Sequence, residues 1–234
     1  MPVKRVHILA NSVKNSQHCI AGRELIERRG RCSFGEWIRP VSRHGEGELS
    51  SADCRLPNGQ TPKIFDVVDI PVEEYEGSGS QPENWFIVPH QQWRQVKIEG
   101  NLPDVIVDSP PLLWPESSIR RDRISPEALA SLNCRHSLYL IEVNRFRIQV
   151  GWRDYEGTPR MRRRGLFMYN GRDYDFSLTD PAMERYYRPF PKPEDGIKTI
   201  TLDSGGDCLL CVSLTPPFND YHYKIVATVI ERKT

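Results

Sequence analysis

Gly35-Glu36-Trp37-Ile38-Arg39-Pro40-Val41-Ser42 sets an aromatic ring, an arginine, a proline and a hydroxyl in one short extended run. Proline has no N–H to give a strand ladder, so Pro40 places the run at a sheet edge or a strand end. Alternation then puts Trp37 and Arg39 on one face and Ile38 on the other. A tryptophan can stack on a base while a neighbouring guanidinium holds a phosphate, which makes Trp37, Arg39 and Ser42 candidates for a recognition edge. The ordinary alternative is a core tryptophan beside a solvated arginine.

Strands lie on both sides of this run. Residues 3–10 alternate, with Val6, Ile8 and Ala10 on one face. Residues 11–16 read as a polar turn that includes Lys14, residues 18–22 as a second short strand, and residues 24–30 as a charged tip. Downstream, residues 45–59 are loop, residues 65–72 alternate again, residues 77–82 are loop, and residues 84–88 close the set. Five short strands joined by turns predict a small barrel, not a βαβ unit.

The second half repeats the plan without repeating the residues. Residues 103–115 are proline-rich and read as a connector. Ser125 is a good N-cap and Pro126 suits a first helical position, so a short helix is expected over 126–132. Residues 137–143 are strand-like, and residues 145–150 alternate strictly. Arg145, Arg147 and Arg153 fall on one parity, and Phe146, Ile148, Val150 and Trp152 on the other. Such a strand has a basic outer face and an apolar inner one. Residues 160–169 run back, carrying Arg160, Arg162, Arg163 and Arg164, into Asn170-Gly171, a strong hairpin turn. Residues 173–178 alternate, Thr179 could cap a short helix over 180–186, and residues 208–214 and 223–231 close the set. The expected fold is mainly β, with two tandem OB-like small barrels and short connecting helices. The barrels span 1–98 and 136–234, with a connector over 99–135.

The 234 residues suffice for two such cores, and a net charge of +1 argues for no global field. The distribution is uneven. Residues 66–116 hold ten acidic and two basic side chains, whereas residues 120–172 hold twelve arginines, no lysine and five acids. Arginine binds phosphate or carboxylate in a bidentate fork and stacks on rings, so its exclusive use points to an anionic partner or to the acidic segment itself. Six cysteines, no long apolar run at the start and no stretch near the ~20 residues of a bilayer span predict a cytoplasmic protein with free thiols and no membrane association. Cys208 and Cys211 form a single CxxC in a strand-like run, where positions three apart face opposite sides, so no metal is expected.

Several ordered segments resemble the bacterial dual OB-containing domain family. They are Ser12-Val13-Lys14, Cys19-Ile20-Ala21-Gly22, the Gly35–Ser42 run and Gln81-Pro82-Glu83-Asn84-Trp85 in the first half. In the second half they are Asp175-Phe176-Ser177-Leu178-Thr179-Asp180-Pro181, Cys211-Val212-Ser213-Leu214-Thr215-Pro216-Pro217-Phe218 and Tyr223-Lys224-Ile225-Val226-Ala227. The resemblance implies two tandem OB-like barrels and a nucleic-acid-binding role, in a family often linked to prokaryotic conflict and defence systems. It carries over no catalytic residue. The Arg28-Arg29-Gly30-Arg31 run and the arginines of 160–164 lie outside what it explains.

OB barrels bind single strands by stacking bases on aromatics above a basic groove. Here Arg145, Arg147, Arg153, Arg160, Arg162 and Arg163 are expected to line such a groove, with Lys14, Trp37, Arg39 and Ser42 as a second platform. The alternative is an ordinary solvated hairpin surface that docks the acidic segment. His222 reads as a half-buried structural histidine, and His90-Gln91-Gln92-Trp93, whose side chains could read a base edge, as the surface of a helix start. Asp173 and Asp175 share a face, as a metal-binding carboxylate pair would. Lys14 lacks the motif of a nucleotidyl-transfer lysine, and no GxSxG, Walker loop or HExxH is present. The expected function is a non-catalytic nucleic-acid-binding module without cofactor, preferring single-stranded DNA or RNA and serving a defence system. The alternatives are a protein–protein adaptor anchored by Trp37, Trp85 and Trp114, or a sensor of a nucleotide-like small molecule.

Overall fold

Period-two alternation yields long strands, because each strand buries one side against a common interior while the other stays polar. The structure, a computed structural model, describes residues 1–14, 16–75, 77, 79–98, 102–115, 121–131, 136–188, 198–201 and 207–232. The chain forms two compact units, Met1–Ile106 with Arg135–Leu138, and Val107–Cys134 with Tyr139–Thr234. The stretch read as a connector is therefore divided between the units.

The first unit contains β1 (Val3–Lys14), β2 (Gln17–Arg28), β3 (Arg31–Val41), β4 (Val67–Tyr75) and β5 (Asn84–Ile87). Their order is β1-β2-β3-β5-β4, and β1 pairs with β4 to close the barrel. β1 divides its length to do this: Val3–His7 pairs with β4 and Val6–Lys14 with β2. β3 runs parallel to β5 over Arg39–Val41. This is the five-stranded Greek-key order of an OB barrel. A two-residue strand, β6 (Arg94–Gln95), adds to β4. The interior holds Val6, Ile8, Ile20, Ile38, Val68, Ile70 and Trp93. Gly22 lets β2 press against β1, since a Cβ there would stand 2.0 Å from the His7 carbonyl oxygen. Trp93 is therefore a core residue and not part of a helix-start surface.

The polar turn expected over 11–16 and the charged tip expected over 24–30 are mostly strand. β1 continues through Lys14, and β2 runs to Arg28, so the reversal before β3 is only Arg29-Gly30, with φ of +53° and +72°. Charged side chains on a two-stranded ribbon can point to water while the backbone stays paired, so polarity alone does not mark a turn there.

The second unit contains β7 (Arg123–Ile124), α1 (Pro126–Ala130), β9 (Phe146–Tyr155), β10 (Thr158–Tyr169), β11 (Arg172–Leu178), α2 (Glu184–Tyr187), β12 (Lys198–Thr201), β13 (Cys208–Phe218) and β14 (Tyr221–Glu231). β8 (Leu138–Val143) leads into it. The sheet runs β12-β9-β10-β11-β14-β13-β8, with β11 parallel to β14, the same relation that joins β3 to β5. β8 and β9 are separated only by Asn144 and Arg145, and pair with β13 and β10 respectively. Together they do what β1 does unbroken in the first barrel. Phe146, Ile148, Val150, Phe167, Phe176 and Val226 fill the interior. Ser125 caps α1 by accepting from the Ala128 N–H. Asp180, not Thr179, caps the turn of 3-10 helix before α2: its carboxylate accepts from Ala182 N–H and, across the sheet, from Val229 N–H at 2.7 Å. His222 is buried, with Nδ1 2.8 Å from the Thr215 carbonyl. Cys208 and Cys211 are buried on β13. Among the described residues, no helix is long and apolar enough to cross a membrane, and no group of three or more metal-ligating side chains is gathered.

Candidate nucleic-acid interface

Cross-strand partners share a face, so the register of β9 and β10 sorts the arginines. Phe146, Ile148 and Val150 face the interior, opposite Phe167, Gly165 and Arg163. The outer face therefore carries Arg147, Gln149, Gly151 and Arg153 of β9 opposite Leu166, Arg164, Arg162 and Arg160 of β10. Arg153 lies directly across from Arg160, a like-charge pairing that costs a sheet stability unless an anion answers it. Partial burial, with the positive charges of Arg164 and Arg153, lowers the pKa of Arg162 despite Asp175 and Asp122 nearby. Arg147, Arg153 and Arg162 have no carboxylate partner among the described residues. Arg145, exposed in the break between β8 and β9, lines a cleft beside Arg147, Met168, Asn170 and Asp173.

Arg164 is different, because the protein itself engages it. Its guanidinium donates to Asp122 Oδ2 at 3.0 Å, to Ser177 Oγ at 3.0 Å, and to both the carboxylate and the backbone carbonyl of Asp175. Burial alone would raise the Asp122 carboxyl, but Arg164 and Arg123 overcome it and hold the group below its ordinary range. Asp122 also accepts from Arg123 Nε at 3.2 Å. The Arg123 guanidinium lies over Tyr223 at 4.7 Å and Tyr221 at 5.4 Å from the ring centres. Phe218, 62% exposed, stands 6.4 Å from Tyr223. The basic face on β9 and β10 is thus linked through Asp122 and Arg123 to an aromatic tip at the β13–β14 turn. In OB order β10 and β11 are the second and third strands and the β13–β14 turn is the last loop, the strand pair and loop with which OB folds hold oligonucleotides. β10 brings Arg160, Arg162 and Arg164 to that face, β11 brings Asp173 and Asp175, and β9 is the first strand beside it.

The model of the dual OB-containing domain matches residues 4–229, nearly the whole chain. The chain belongs to the dual OB-containing domain family. No curated protein and no solved structure gave a match.

Within this dual OB protein the expected site residues separate into three groups. Arg147, Arg153, Arg160 and Arg162 share the outer face of the second barrel, and Arg145 sits at its margin. Arg163 has the opposite parity, with its guanidinium 5.5 Å from the Tyr187 ring and Nη1 3.3 Å from that hydroxyl, so it does not join the groove. The third group is the expected platform on the first barrel, of which Trp37, Arg39 and Ser42 are buried. Trp37 is buried beneath the Arg23 guanidinium, 4.8 Å from its ring centre. Arg39 is buried and donates to Ser137 Oγ at 3.1 Å, while Ser137 donates twice to the Glu83 carboxylate at 2.7 Å. Arg39 is a clamp on the chain segment that leads into β8. Ser42 is buried and accepts from His44 N–H. Lys14 ends β1, and its side chain lies outside the described residues. Of the proposed adaptor anchors, Trp37 and Trp114 are buried, and Trp85 is half-buried with the Lys4 ammonium 4.3 Å above its ring. Asp173 and Asp175 share the outer face of β11, where Asp175 answers Arg164.

Proposed function

We propose that this dual OB protein is a non-catalytic, cytoplasmic nucleic-acid-binding module, an accessory of a prokaryotic conflict or defence system, that takes single-stranded DNA or RNA on the second barrel. The observation that carries the reading is the row formed by Arg147, Arg153 and Arg162 on the outer face of β9 and β10, which have no carboxylate partner among the described residues, joined to the Arg123, Tyr221 and Tyr223 cluster. Phosphates would sit on the guanidinium row. Bases, which have to be unstacked to meet a side-chain ring, would lie on Phe218 and the tyrosines, and that favours single strands over duplex.

The test is fluorescence anisotropy of labelled single-stranded DNA, single-stranded RNA and duplex of one sequence at low salt. Single strands should bind more tightly than duplex, and a Tyr221→Ala/Tyr223→Ala variant should lose about tenfold or more on single strands and little on duplex. Equal affinity for single strands and duplex, or no binding to either, would refute the reading.

A further inference from the structure

The first barrel holds one aromatic side chain in a backbone conformation it does not favour. Phe65 has a φ of +73°. It occupies the third position of a turn closed by the Asp66 N–H to the Lys63 carbonyl at 3.1 Å, a position at which a positive φ ordinarily selects glycine or asparagine. Phe65 N–H donates to the Ile8 carbonyl and Ile8 N–H donates to the Asp66 carbonyl, both at 2.8 Å. Two residues before β4 therefore oppose one on β1, a bulge whose left-handed residue is usually glycine. A bulky residue at a positive φ persists only where its surroundings enforce it, and such outliers gather at functional sites.

What the conformation achieves is the presentation of a ring. Phe65 is 47% exposed, among the largest apolar exposures of the described residues. Its inner side rests on His7, at 5.7 Å between ring centres, and His7 is stacked on Phe34 at 5.3 Å with their planes 10° apart. His7 is buried, so Phe65, its plane tilted 31° from the His7 ring, is the more exposed end of a row of three rings. Beside it runs a cleft whose polar lining is Asp66, Gln95, Lys97 and Asp104. The Gln95 amide donates to Asp66 at 2.8 Å, which sets a carboxamide and a carboxylate next to the ring, with an exposed ammonium nearby. A flat ring face, hydrogen-bonding groups at its edge and a cation match the chemistry of one nucleotide.

We infer that Phe65 is a second base-stacking site, on the first barrel, where a base of a bound single strand lies on its exposed face beside Gln95 and Lys97. This rests on the single-strand reading above and extends it to a surface distinct from the arginine row. The competing account is that the ring is retained for its packing on His7.

Phe65→Gly separates the two accounts, because glycine relieves the backbone while deleting the ring. The expected result is a melting temperature close to that of wild type, with about tenfold weaker binding of labelled oligodeoxyadenylate. Binding of an abasic oligonucleotide of the same length should be unchanged. Phe65→Trp should restore oligoadenylate binding, and its added indole fluorescence should be quenched by millimolar adenosine monophosphate beyond the quenching of wild type. Wild-type binding that Phe65→Gly leaves intact, or a clear drop in its melting temperature, would overturn this inference and leave the second-barrel reading standing. Failure of wild type to bind any strand overturns that reading. An unquenched Phe65→Trp overturns this one independently.

Discussion

Replacing Arg164 with methionine removes the centre of the second barrel's outer network while keeping the length of the side chain. The cost follows from which partners lose their cation. The Asp175 side chain is about half exposed and is resolvated cheaply. The Asp122 side chain is only 11% exposed, and leaving a buried carboxylate short of its partner costs several kcal/mol. Arg123 still holds Asp122 at 3.2 Å, which places the loss near the lower end, about 3 kcal/mol. Urea unfolding followed by circular dichroism should show an earlier midpoint with an unchanged slope. A second substitution, Asp122→Asn, should return part of the loss, since the stranded charge is gone. The pH dependence follows too. A carboxyl held below its unfolded value contributes stability above that value and loses it as pH falls through the folded one. Asp122 is held down largely by Arg164, so acid unfolding of Arg164→Met should begin at higher pH than in wild type. A loss under about 1 kcal/mol, or a double variant whose loss is the sum of the two single ones, would refute this account of the network.

Further expectations concern packing and buried polar groups. Gly165→Ala places a methyl 2.7 Å from the buried Phe146 ring and should cost about 1–3 kcal/mol, while Gly22→Ala meets backbone at 2.0 Å and should cost more; thermal unfolding ranks them. Lys224 is fully buried and donates to the carbonyls of Trp114 and Pro115 at 3.1 and 2.9 Å, so Lys224→Met should lose about 2 kcal/mol by urea titration. Burial raises the Asp180 carboxyl, so its ionisation opposes folding. Wild type should therefore gain stability over Asp180→Asn as pH is lowered from its raised value toward the ordinary one, and a difference that shrinks over that window would contradict the assignment.

Both barrels could be read from alternation, and most clearly where apolar and arginine positions interleave over residues 145–153. The Asn170-Gly171 turn was equally legible and has φ of +48° and +72°. The closure of the second barrel was not, because a strand broken at Asn144 and Arg145 looks like two strands until pairing shows them sharing one role. For the site, the expected groove wrongly includes Arg163 beside Arg160 and Arg162, although consecutive residues of a strand cannot share a face and parity separates them. The burial of Trp37 could not be read that way. Alternation says that Trp37 and Arg39 lie on one side, not that Arg23 from the neighbouring strand covers that side. The aromatic tip was hidden for a related reason: Phe218, Tyr221 and Tyr223 become a cluster with a cation only when β7 brings Arg123 to them across the sheet. Phe65 gave no signal, because a positive φ at phenylalanine has no composition cue.

The most direct test of the central claim is the salt dependence of single-strand binding by wild type and by an Arg147→Gln/Arg153→Gln/Arg162→Gln variant. Each phosphate neutralised on a single strand adds about 0.7 to the slope of log K against log salt. If these guanidiniums lie along a strand, wild type should bind tightly at low salt and weaken steeply, and the variant's slope should fall by about 2. Equal slopes, or a wild-type affinity indifferent to salt, would contradict the arginine face as the place where the strand lies.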